Sequence, residues 1–253
     1  MNEYLILAIA ALLVGLAKGG LGPVGALVVP LVSTMMPVGT ATGLILPFLM
    51  VGDLFALRSY WRKWEMKHLR LMLPAAVIGI ILGAWLLTSL PDDVLRRILG
   101  IFTLVIAIYK LANDAVKSLT YNFRPWHGYL AGGLAGFASA LANAGGPPIT
   151  AYLLLQKLSP TAFVGTSVLF FAIVNAIKLP IFITSGVLDV QLFLSFIWMA
   201  LLIPLGVFAG HWIIKRISQR LFDALMLIFL FYTGFSLLFG GQLFSFIKGI
   251  FGL

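Results

Sequence analysis

The 253-residue chain has no cysteine, and charged residues make up only 10% of it. Without thiols there is no disulfide framework, no thiolate metal site and no cysteine nucleophile. With only eight acidic residues, the clustered carboxylates that hold hard cations are scarce. The histidines, His68, His127 and His211, stand far apart and show neither ligand spacing nor a helical metalloprotease motif. A soluble domain carries about 25% charged residues, and even a large one leaves about a quarter of its chain surface wet. A chain that is 61% apolar, with mean hydropathy +1.08, cannot meet that condition. A cytosolic enzyme, a disordered chain and a secreted disulfide scaffold are thereby excluded. What remains is a membrane protein that crosses the bilayer several times.

The formal charge of +9 reads first as the cytoplasmic Lys and Arg excess that orients membrane helices, not as a nucleic-acid surface. Met1-Asn2-Glu3 lacks the basic start of a signal peptide, so the first apolar run is expected to be kept. Crossing about 30 Å of hydrocarbon takes roughly 20 residues. Six segments qualify: Thr40–Leu57, Leu71–Leu90, Ile98–Leu111 (short as written), Thr161–Thr184, Gln191–Ile214 and Leu221–Phe239. Two further apolar segments are interrupted. Tyr4–Ala17 and Val24–Met36 are split by Lys18-Gly19-Gly20-Leu21-Gly22-Pro23, and Gly128–Ala142 and Ile149–Leu155 by Asn143-Ala144-Gly145-Gly146-Pro147-Pro148. Gly and Pro at these junctions break helical hydrogen bonding, which predicts re-entrant hairpins or broken helices.

The interruptions recur. Pro23 and Pro147 lie 124 residues apart, Gly79-x-x-x-Gly83-x-Trp85 matches Gly206-x-x-x-Gly210-x-Trp212 at an offset of 127, and Asp53 faces Asn175 at 122. A broken segment followed by three spans therefore occurs twice, as in duplicated transporters. The division is a first repeat over 1–111, a cytoplasmic linker over 112–127 and a second repeat over 128–253. If each broken segment returns to its side of entry, twelve of the seventeen basic residues fall inside, including Arg58, Arg62, Lys63, Lys67 and Arg70. Only Arg96, Arg97 and Lys248 fall outside, and Lys18 and Lys178 stay in the membrane. That arrangement obeys the positive-inside rule, inverts the two halves and puts both termini outside. The fold class expected is an all-α polytopic membrane protein of two inverted repeats, each a broken hairpin plus three transmembrane helices.

Chemistry concentrates at the breaks. A helix beginning inside a protein-lined cavity presents free N–H groups and a positive dipole end. Glycine lets a small oxyanion approach those donors, and Pro fits the first turn without losing a bond. Gly19, Gly20 and Gly22 at the first break, and Gly145 and Gly146 at the second, are therefore candidate anion contacts. Gly79, Gly83, Gly206 and Gly210 are read instead as close helix packing. Lys18 is the foremost side chain, because an ammonium at membrane depth costs about 2.5–3.5 kcal/mol and a bound anion would offset it. Snorkelling to an interface is the competing account. Asn143 occupies the corresponding region of the second half.

Lys178 and Asn175 are three residues apart in one span and share a helix face. Thr166, Ser167 and Thr42 offer hydroxyl donors. Asp53 is a coupling carboxylate for protons or the partner of Lys178 or Arg58, and pairing is favoured because intramembrane charges pair. Gly52-Asp53 lacks the preceding glycine of an intramembrane aspartyl protease motif, since Met50 stands there, and no second Asp suits. Trp61, Trp64, Tyr60, Trp126 and Tyr129 read as interfacial anchors.

The run Gly15-Leu16-Ala17-Lys18-Gly19-Gly20-Leu21-Gly22-Pro23, its second copy through Asn143-Ala144-Gly145-Gly146-Pro147-Pro148, and Val164-Gly165-Thr166-Ser167 resemble the TauE/SafE family. The resemblance covers nearly the whole chain. It implies a bacterial inner-membrane carrier for small sulfur-containing anions, such as sulfite or organosulfonates, with no cofactor and no catalysis. The residues themselves say only "anion"; carboxylate carriage and an anion channel stay open.

Overall fold

The computed structural model describes residues 3–19, 21, 24–115, 124–156, 158–213, 216 and 219–239. Among them the regular structure is entirely helical. The first half runs α1 (Glu3–Lys18), α2 (Gly25–Val32), α3 (Val38–Ser59), α4 (Met66–Ser89) and α5 (Asp92–Ala115). The second runs α6 (Pro125–Ala142), α7 (Gly146–Leu155), α8 (Pro160–Thr184), α9 (Val190–Phe196), α10 (Leu202–Ile213) and α11 (Gln219–Phe239). Val38–Arg58, Met66–Ser89, Thr161–Thr184 and Val190–Gly210 are long and apolar enough to cross a membrane. The outer face is apolar: Leu201 is 75% and Phe208 76% exposed, as lipid contact requires.

Among the described residues, each of the six expected spans falls on helix, with two differences. The third is a 24-residue helix, longer than its apolar run. Asp92 and Asp93 open it, where acidic side chains favour the positive helix end, so the helix starts before the apolar run does. The fifth is not one continuous α-helix, because Ile197–Leu201 winds as a 3₁₀ turn between α9 and α10. Pro204 has no N–H to give the Ala200 carbonyl and its ring crowds that oxygen, which tightens the preceding turn.

Both interrupted segments are broken. α1 stops at Lys18 and α2 begins at Gly25. α6 ends where Asn143 turns left-handed at φ 52°, and Pro147 and Pro148 follow Gly146 in the first turn of α7. Asn is among the few residues that visit this region readily.

The long helices pair across the two halves: α1 with α10, α4 with α6, α5 with α11 and α3 with α8. Glycines set the first two contacts. A Cβ on Gly206 would stand 2.9 Å from the Gly15 Cα, and one on Gly79 would stand 2.7 Å from the Phe137 nitrogen. Gly83 faces Ala140 and Phe137 in the same way, and Gly210 faces Leu16. These four positions serve backbone-to-backbone packing, which supplies dispersion contact where lipid leaves no hydrophobic drive between helices.

A clamp on α5 holds the α2–α3 connection. Asp92 accepts the Val38 N–H at 2.7 Å and the Arg96 Nε–H at 2.6 Å. The Arg96 guanidinium also donates to the carbonyls of Ser33 and Met36. Orphan groups at the end of α2 and the start of α3 are thereby satisfied by one side-chain pair.

Candidate functional site

Lys18 is the last residue of α1, and its stem lies along α3 where Gly52 leaves room. A Cβ at Gly52 would come within 2.8 Å of the Lys18 Cγ. The ammonium forms a short ion pair with Asp53 Oδ1. Asp53 Oδ2 accepts a second bond, from Asn175 Nδ2 of α8, at 2.7 Å. The Asp53 side chain keeps only 3% of its exposure and that of Lys18 19%. Asp53 is therefore paired, but with Lys18 and Asn175; Arg58, one of the partners expected for it, is exposed.

One turn further along α8, Lys178 is wholly buried. Its ammonium donates to the Ser139 carbonyl at 3.0 Å, the Ser139 hydroxyl at 3.0 Å and Asn143 Oδ1 at 2.5 Å. Three N–H groups meet three acceptors, so every donor is used. Asn143 Nδ2 then donates to the Thr42 carbonyl at 3.1 Å, and the Thr42 hydroxyl donates to the Leu141 carbonyl at 3.1 Å. Phe182 turns its ring towards the ammonium, 5.7 Å from the centroid. α3 thus carries a residue of each cluster, Asp53 at one and Thr42 at the other, about 16 Å apart along its axis. α8 joins them more closely through Asn175 and Lys178.

The structure brings Lys18 to Asp53 and Asn143 to Lys178. Gly19 is buried against α10, where a Cβ would clash with the Val207 carbonyl oxygen. Gly145 is closely packed too, with Phe171 and Ser139 in its way. Gly146 differs: among the described residues, nothing lies within 4 Å of where a Cβ would stand. Gly20 and Gly22 lie outside the described residues.

Thr166 and Ser167 do other work. The Thr166 hydroxyl donates to the Ala162 carbonyl at 2.7 Å and accepts the Glu65 N–H at 2.9 Å, bracing the start of α4. Ser167 donates to the Phe163 carbonyl at 3.0 Å, one turn back on its own helix. Neither proton is turned towards a break. Ser139 is the residue that sequence reasoning missed. It lies on α6 four positions before Asn143, which ends the helix, a spacing of about one turn that would have marked it as a neighbour.

The electrostatic outcome is uneven. Lys18 is balanced by a carboxylate, whereas Lys178 meets only neutral acceptors. Among the residues whose burial is described, the ionisable side chains buried to nine-tenths are Asp53, Lys178 and His68, which pairs with the Tyr152 hydroxyl at 2.9 Å near the start of α4. Counting Lys18, the two clusters hold two cations and one anion, an excess of one positive charge. An ammonium removed from water without a counter-ion is costly, and a ligand of opposite sign relieves that cost.

Residues 7–237 match the family model described as "Sulfite exporter TauE/SafE". A curated relative, "Probable membrane transporter protein YtnM" of Bacillus subtilis (strain 168), is 28% identical over 169 residues, covering 62% of this chain. The match takes in 55% of that relative's own length, so the chain spans only about half of it. No solved structure matches.

Proposed function

The chain belongs to the TauE/SafE sulfite exporter family, a family of membrane transporters, and we propose that it carries a small sulfur-containing oxyanion, sulfite or a simple organosulfonate, by alternating access. It is a multi-pass membrane protein. The observation that carries the anion reading is the excess positive charge at the two helix breaks, with Lys178 buried among neutral acceptors. A cation site would reverse that sign and want clustered oxygen ligands.

Lys178, Asn143 and Gly146 at the second break, with the N-terminal turn of α7, form the proposed binding end. Lys18, Asp53 and Asn175 form the companion cluster, and Asp53 is the one described carboxylate placed to exchange a proton during the cycle. The sulfur chemistry follows from the family alone.

Two inverted repeats, over 1–111 and 128–253, are part of the proposal. Helix pairing supports them: α1 with α10 mirrors α6 with α4, while α5 with α11 and α3 with α8 join like elements. So do two contacts of equal span, since Lys18 and Asp53 are 35 residues apart, as are Asn143 and Lys178. Rocking of one half against the other would open the breaks to each side in turn. The orientation we propose has 112–127 in the cytoplasm and both termini in the periplasm, across a bacterial inner membrane.

The test is counterflow of labelled sulfite in proteoliposomes, with sulfonates, acetate and sulfate as competitors. Saturable exchange suppressed by sulfonates supports the reading. Exchange of acetate without sulfite would keep the carrier and remove the sulfur assignment, and flux without counterflow would point to a channel.

A further inference from the structure

The two clusters are counterparts with their charges exchanged. In the first half the cation sits at the break, Lys18, and the acceptor sits on the following span, Asp53. In the second half the acceptor sits at the break, Asn143, and the cation sits on the span, Lys178. Both contacts close over 35 residues, so one register superposes Lys18 on Asn143 and Asp53 on Lys178. What differs is the charge of the acceptor. Asp53 cancels Lys18; the Asn143 amide leaves Lys178 uncancelled. The excess is therefore one unit and belongs to the second half.

We propose that this site is built for a singly charged anion, a sulfonate or hydrogensulfite, and discriminates against doubly charged anions such as sulfate. The inference rests on the anion-carrier reading above. In a low-dielectric interior the loaded site is most stable when its charges sum to zero. One negative charge brings Lys18, Asp53, Lys178 and the ligand to neutrality. A dianion of the same shape leaves one buried negative charge without a partner. Size alone separates methanesulfonate from sulfate poorly, because both present a compact tetrahedral sulfur with oxygens outward; charge separates them well. Location follows from the same count. The anion sits at the second break, where Lys178 has no counter-charge and where no described residue lies within 4 Å of a Cβ built on Gly146. Lys18 is a positioning residue there, and its charge is spent on Asp53.

The experiment uses the purified full chain in proteoliposomes, with labelled methanesulfonate and labelled sulfate as separate probes. Wild type should exchange methanesulfonate at least tenfold better than sulfate. Asp53→Asn raises the excess to two, and the sulfate-to-methanesulfonate ratio should rise about tenfold, one decade in a binding ratio. The double variant Lys18→Met/Asp53→Asn keeps an excess of one and should keep the wild-type ratio. Lys178→Met removes the excess and should abolish exchange of both probes. Adding Asp53→Asn to Lys178→Met restores a single positive charge, on Lys18, and should recover methanesulfonate exchange in part; that recovery also shows that the single variant folded.

Equal handling of the two probes by wild type, or an unchanged ratio in Asp53→Asn, overturns the charge inference. If Lys178→Met still loses exchange in that case, the site reading survives without it. If Lys178→Met exchanges like wild type, the location fails too. A wild type that exchanges neither probe overturns both.

Discussion

Gly15 on α1 and Gly206 on α10 meet backbone to backbone, each filling the space where the other's side chain would be. A Cβ on Gly15 would lie 2.7 Å from the Gly206 Cα, and one on Gly206 would lie 2.9 Å from the Gly15 Cα. Neither helix can yield without parting the α1–α10 contact. Gly206→Ala should therefore destabilise the protein by about 1–3 kcal/mol, the usual cost of overpacking. Thermal unfolding in detergent reads this directly. Gly146→Ala is the internal control, because its new methyl group meets none of the described residues. It should unfold with wild type while transport falls, since the methyl would occupy the space proposed for the ligand.

Lys18 and Asp53 supply a second expectation. Removing one member of a buried ion pair leaves an uncompensated charge, whereas removing both leaves none. Lys18→Met should cost about 3 kcal/mol, the low end for such pairs because Lys18 is partly exposed. The double variant Lys18→Met/Asp53→Asn should recover most of that loss. A double-mutant cycle on unfolding midpoints measures the coupling. Additive losses would mean that the ion pair contributes nothing.

Asn143 combines a backbone role with a side-chain role, and two substitutions separate them. Asn143→Gly keeps the left-handed turn but removes the acceptor for Lys178 and the donor to Thr42. It should cost about 1–3 kcal/mol, as an unsatisfied buried donor does. Asn143→Leu adds strain at φ 52° of about 1–2 kcal/mol and should unfold earlier still. Calorimetric scans of both variants decide the order.

The clamp on α5 predicts a local effect. Asp92→Ala frees the Val38 N–H and loosens Arg96 from the end of α2. Hydrogen exchange at 33–40 should accelerate in that variant, while amides of α6 and α8 keep their wild-type protection.

Much of this architecture was legible in the residues. Apolar runs placed the spans, since nothing else in water or lipid stabilises twenty such residues in a row. Gly and Pro marked both breaks, and Lys18, Asp53 and Lys178 announced themselves as charges in the wrong medium. Partner choice was less legible. The sequence offered Asp53 only Lys178 or Arg58 as a partner, and the crossing of α1 and α3 gives it Lys18 instead. The unequal offsets of 122, 124 and 127 in the sequence hid the 35-residue span that the two contacts share. Thr166 looked like a donor from its place in a motif. Its hydroxyl is taken by Ala162 and by a loop a hundred residues earlier, which no local pattern records. The 3₁₀ turn at Ile197–Leu201 was readable from Pro204, three positions after its last residue, but the unbroken hydropathy of the segment masked it.

The two contacts also run in opposite order along the chain. Lys18 leaves the ribosome 35 residues ahead of Asp53, so α1 reaches the bilayer with a cation whose counter-ion has not yet emerged. Lys178 emerges 35 residues behind Asn143 and finds its acceptors, on α6, already synthesised. The N-terminal half must therefore hold α1 in a provisional position until α3 arrives. The C-terminal half can settle α8 as soon as it is threaded. Biogenesis is asymmetric for the same reason the site is: one half brings its charge first, the other brings the place to put it.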